Sequence, residues 1–97
     1  MVRYNIVLEC SGVPPEAGVA GAKDITEAFI RRPWHQNVIC TWDGARLTLT
    51  AENDYDGRGL ALMDEFSDEI SACISNGFGG DIKVVSTTEI NPESQQS

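Results

Sequence analysis

Ninety-seven residues, 41% of them apolar, suffice for one domain with its own core and argue against general disorder. A formal charge of −8 repels phosphate, which disfavours nucleic acid and anionic membranes and suits a basic partner. Cys10, Cys40 and Cys73 are odd in number and lack a CxxC spacing, so reduced thiols in a cytoplasm are expected instead of a disulfide framework. The opening MVRYNIVLECSG has no apolar run long enough for a signal peptide. No window approaches the roughly 18 apolar residues of a membrane span, so a soluble, cytoplasmic protein is expected.

The first strand is predicted over 4–10, where Tyr4, Ile6, Leu8 and Cys10 alternate with Asn5, Val7 and Glu9. Val13-Pro14-Pro15 breaks it, and Pro15 suits the first position of a helix over 15–32, closed by Pro33. The inward set of that helix is Val19, Ala22, Ile25, Phe29 and Ile30. Arg31 and Arg32 sit in its last turn, where the helix dipole favours cations, and His35 is placed in an exposed turn.

A hairpin follows in VICTWDGARLTLTAE. Asp43-Gly44 fits a two-residue turn, which pairs Trp42 with Ala45, Cys40 with Leu47, Val38 with Leu49 and Gln36 with Ala51 on the core side. Asp56 is the expected cap of a second helix with Leu60, Met63, Phe66, Ile70, Cys73 and Ile74 inward. Asp64, Glu65, Asp68 and Glu69 lie on its opposite side. Asn76-Gly77 stops the helix, a last strand spans 81–90, and residues 91–97 form a polar tail.

The order β-α-β-β-α-β makes residues 1–90 a single α+β domain and resembles the ferredoxin-like sandwich. That resemblance implies a four-stranded antiparallel sheet, in order 4-1-3-2, with two helices on one face. The uncovered face then shows Asn5, Val7, Glu9, Ile39, Thr41, Arg46, Thr48, Thr50, Lys83, Val85 and Thr87. RNA-recognition domains of this topology carry aromatic rings there for base stacking, and none points that way here.

Candidate chemistry is sparse. Glu52-x-Asp54-x-Asp56-Gly57 resembles half of an EF-hand loop, but Met63 occupies the twelfth position, which needs a bidentate carboxylate. Asn76 to Asp81 is glycine-rich but follows a helix, the reverse of a phosphate-binding loop. Acylphosphatases place a catalytic arginine in the loop after the first strand, and no arginine lies between Arg3 and Arg31. Val13 to Gly18 resembles the loop of ACT regulatory domains, which implies amino-acid sensing at a subunit interface. No catalytic residue, metal ligand or cofactor is therefore assigned.

The leading expectation is a non-catalytic interaction or regulatory module that acts through protein–protein contacts, such as an acidic inhibitor or immunity-type protein. Its candidate surfaces are the sheet face (Val7, Ile39, Thr41, Arg46, Thr48, Val85) and the acidic helix face (Asp64, Glu65, Asp68, Glu69), facing a basic protein or a second copy. The alternatives are an ACT-like sensor and a small dimeric α+β barrel enzyme with a pocket near Trp34, His35, Trp42 and Tyr55.

Overall fold

The computed structural model of the chain describes residues 2–75 and 77–90, so Asn76 and the expected tail at 91–97 lie outside the described residues. Six main elements run in the order β1 (Arg3–Cys10), α1 (Gly18–Ala28), β2 (Gln36–Trp42), β3 (Leu47–Asn53), α2 (Leu60–Cys73) and β4 (Ile82–Ile90). The class is α+β, with one four-stranded antiparallel sheet, in order β2-β3-β1-β4, and two helices. No helix among the described residues is long and apolar enough to cross a membrane.

The core follows from strand alternation. Residues opposed across a ladder share a face, so Ile6, Leu8 and Cys10 of β1 gather Ala51, Leu49 and Leu47 of β3 on one side. Cys40 joins them through Leu49. Ala22 and Ile25 from α1, Phe29 from the turn after it, and Leu62, Phe66 and Ile70 from α2 close over that side in a single buried cluster. Removing a large aliphatic or aromatic side chain from water contributes about 1.5–3 kcal/mol, so this layer is the main stabilising term.

Both helices differ from expectation. The segment 15–32 is not one helix: Pro15–Ala17 and Phe29–Arg31 are short 3-10 turns flanking α1. Small residues occupy much of its inner face, with Gly18, Gly21 and Ala22 buried beside Ile25. Gly18 lies against the Trp42 ring, where an added Cβ would stand 2.2 Å from ring carbons, and Gly21 faces Ile74. That close approach turns Val19 of α1, expected inside, outward to 74% exposure, and Ile30, also expected inside, is 78% exposed in the 3-10 turn that follows. In α2 the buried stripe is Leu62, Phe66 and Ile70, while Leu60 is exposed. Asp56 reaches the first turn of α2 across a bend at Gly59, accepting hydrogen bonds from the amides of Ala61 (3.2 Å) and Leu62 (2.9 Å).

The hairpin is longer than expected. Trp42 faces Leu47, not Ala45, leaving residues 43–46 as the loop. The Asp43 carboxylate accepts from the amides of Ala45 and Arg46, which replaces the tight turn and holds its pKa below the ordinary carboxylate value. A shift of two residues preserves the faces, so Leu47 stays buried and Ile39 and Thr48 stay on the other side.

Two irregularities change faces locally. An extra residue at Asn37–Val38, with Asn37 at φ 54°, puts Gln36 opposite Glu52 instead of under the helices with Ala51. A second one at Val85 sets Thr87 opposite Ile6, on the helix side and not the open face. The outer edge of β2 is guarded by α1. Thr26 Oγ1 accepts from the Cys40 amide at 2.9 Å and donates to the Ala22 carbonyl at 2.9 Å.

Gly18→Ala must push a methyl group into the Trp42 ring. It is expected to lower stability by about 1–3 kcal/mol in urea unfolding, and an unchanged midpoint would show that the ring yields freely.

Candidate functional site

The densest polar cluster lies where α1 hands over to β2. Pro33 disfavours helical geometry at Arg32, whose φ and ψ of −117° and 72° turn the chain, and the His35 amide then donates to the Arg32 carbonyl at 3.1 Å. His35 was expected on the surface, but its side chain is fully buried. The rings of Phe29, Trp34 and Tyr55 surround it at centroid distances of 5.9, 5.9 and 6.2 Å. Burial of an imidazole is tolerated only when its nitrogens find partners, and both do.

The hydrogen-bond network assigns the tautomer. The Asn53 side-chain oxygen accepts from the amides of Tyr55 (3.2 Å) and Asp56 (2.9 Å), which turns its NH2 group toward His35. That group donates to Nδ1 at 3.2 Å, so the ring proton sits on Nε2 and is donated to Glu65 Oε1 at 2.5 Å. Glu65 Oε2 accepts from Arg32 Nη1 and from the Trp34 indole, both at 3.2 Å. Arg32 also grips Glu69 Oε2 through Nε (3.2 Å) and Nη2 (3.1 Å). One guanidinium thus offsets the repulsion of two carboxylates a turn apart on α2.

These bonds define what the cluster can do. With both nitrogens engaged inside the fold, the buried imidazole presents no free lone pair at the surface. The thiols are no better placed as nucleophiles. Burial pushes Cys10 up to about 11 and Cys40 up to about 12, and burial followed by Glu69 and Asp24 raises Cys73.

The EF-hand-like spacing does not gather carboxylates either, because Glu52 turns to Arg3 at 3.6 Å and Asp56 caps α2. Among the described residues no three metal-ligating side chains meet. The glycine-rich segment is a fastener: Gly79 donates to the Gly12 carbonyl at 2.7 Å, and Ser11 and Asp81 exchange bonds through Ser11 N to Asp81 O (3.0 Å) and Asp81 N to Ser11 Oγ (3.1 Å). An added Cβ at Gly12 would stand 2.1 Å from the Gly80 nitrogen.

Of the candidate sheet residues, Val7, Ile39, Thr41 and Thr48 share the open face. Val85 is exposed at the irregularity, and Arg46 sits in the hairpin loop beside a shallow cleft of about 210 Å³ with Glu9, Ser11, Asp81 and Lys83. The acidic helix residues separate into two pairs. Asp64 and Asp68 are exposed, whereas Glu65 and Glu69 are drawn into the corner by Arg32.

Trp34 and Trp42 do not border one pocket. They lie at opposite ends of β2, Trp42 against Gly18 and Trp34 against His35. The concave feature at the corner is an open groove of about 240 Å³ along Phe29, Ile30, Pro33, His35 and Val38.

Asn53, which orients His35, is missed by pattern reading because it resembles a loop residue. Its signal was parity: it continues the inward series Leu47, Leu49, Ala51. Comparison with protein-family models, curated proteins and solved structures gives no match, so the site is read from its own side chains.

Glu65→Gln replaces an acceptor-only group by one whose NH2 must face a donor. Loss of its charge-assisted bonds is expected to cost about 2–3 kcal/mol in chemical denaturation. A cost under about 0.5 kcal/mol would remove Glu65 from the centre of the cluster.

Proposed function

We propose that the chain is a non-catalytic interaction or regulatory module that acts through protein–protein contacts, as an acidic inhibitor or immunity-type protein does against a basic target. The observation that carries this reading is the engagement of His35, Glu65, Arg32 and Glu69 with one another: the groups suited to chemistry are tied into the fold. The chain as a whole carries a formal charge of −8. Such a field speeds encounter with a cationic surface and fixes orientation more than it adds affinity.

The free thiols fit a reducing, cytoplasmic setting. We read the topology as ferredoxin-like, since β2-β3-β1-β4 counted from the other edge is 4-1-3-2. On α2, Asp64 and Asp68 are the members of the acidic face left for a partner.

Capture from the native cell with the full chain as bait tests this. The expected partner is basic, is released as ionic strength rises, and binds about tenfold more weakly to the double variant Asp64→Lys/Asp68→Lys. Salt-independent capture that ignores this charge reversal would overturn the proposal.

A second reading is self-association through the open sheet face, favoured by Ile39, which is 55% exposed among Thr41, Thr48 and Thr50. Sedimentation at rising concentration should then show a dimer that Ile39→Lys disperses. A monomer throughout would remove this reading alone.

A further inference from the structure

Two large aromatic side chains, Trp34 and Tyr55, are 48% and 51% exposed although both pack on the same buried imidazole. They come from different parts of the chain, the turn before β2 and the loop after β3. Each is held twice. The Trp34 indole donates to Glu65 and its ring meets His35, while the Tyr55 ring stacks on His35 and its amide donates to Asn53. Rigid, half-exposed Trp and Tyr rings are the usual anchors of protein interfaces, because little conformational freedom remains to be lost on binding. A corner built for stability alone would do as well with apolar residues in place of His35, Asn53 and Glu65, without desolvating charge.

The surroundings specify the guest. Burial and then the negative charges of Glu65, Asp56 and Asp54 raise the Tyr55 hydroxyl pKa, and of these three carboxylates Asp54 is the exposed one. Arg32, the cation acting against them, is already divided between Glu65 and Glu69. Exposed π faces carry negative quadrupole, and a negative field reinforces their attraction for a cation. Guanidinium suits such a place better than ammonium, being planar, weakly hydrated and able to stack.

We propose that the exposed Trp34 and Tyr55 rings, on either part of the same corner, are anchors for arginine side chains of a basic protein partner, with Asp54 next to Tyr55 in the chain to meet a guanidinium. This rests on the reading of the chain as an acidic interaction module and names the residues and the partner chemistry of its contact.

The test is an NMR titration of the full-length, ¹⁵N-labelled chain with a short peptide carrying three arginines, against a matched peptide with citrulline in their place. Trp42, at the far end of β2, supplies an internal control. The Trp34 indole and the Tyr55 amide should shift saturably with the arginine peptide while the Trp42 indole stays still. The citrulline peptide should bind about fivefold more weakly or not at all. Tyr55→Leu keeps apolar area but removes the π face, so it should erase the preference for arginine, its fold being verified by an unmoved Trp42 indole.

Equal binding of the two peptides overturns the proposal. So do shifts confined to Asp64 and Asp68, although that result would leave the acidic module standing. No saturable shift anywhere overturns both.

Discussion

Glu65 ties α2 to the turn at 32–35, two stretches of chain that share no backbone pairing. Its carboxylate receives the His35 imidazole, the Trp34 indole and the Arg32 guanidinium, while its helix packs Phe66 and Ile70 into the core. Through His35 it reaches Asn53 at the end of β3, and through Asn53 the backbone leading to Asp56 and the start of α2. The position of α2 over the sheet and the course of the chain into β2 are therefore not independent. A single, largely covered carboxylate ringed by donors sets both, and its removal would leave the buried His35 nitrogen without an acceptor and Arg32 and Trp34 short of one.

A different kind of tie closes the other end. There the strand ends meet backbone to backbone, Gly12 against Gly79 and Gly80, because two chains can approach that closely only where side chains are absent. The polar corner tolerates no missing partner, whereas the glycine fastener has no room for an added carbon at Gly12 or Gly80. Together they clamp the sheet beneath the helices from both ends. The open face between them carries β-branched residues and a few charges.

The elements and the alternation of the strands were legible in the residues. Period two in Ile6-Leu8-Cys10 and Leu47-Leu49-Ala51 requires one buried face, and that rule survived a hairpin two residues longer than expected. Legibility failed where size ran against hydrophobicity. Gly18 and Gly21 hold the inner face of α1 because Trp42 and Ile74 need room, so scoring by apolar character put Val19 and Ile30 inside. It failed again where partners are remote in sequence. His35 lies thirty residues from Glu65, and nothing local to either announces a buried contact. The faces of Gln36 and Thr87 were lost to single extra residues in β2 and β4, which no periodicity contains.

The hydroxyl of Thr26 has a consequence beyond the single molecule. Rows of unanswered amides and carbonyls along an outer strand invite a foreign chain to add itself, the first step toward fibrils. By occupying the Cys40 amide from the flank of α1, Thr26 withdraws the middle of β2 from that invitation. On the opposite rim, the kink at Val85 spoils the straight ladder such growth would follow. An exposed face rich in threonine and valine is thus flanked by two edges that resist becoming templates for aggregation.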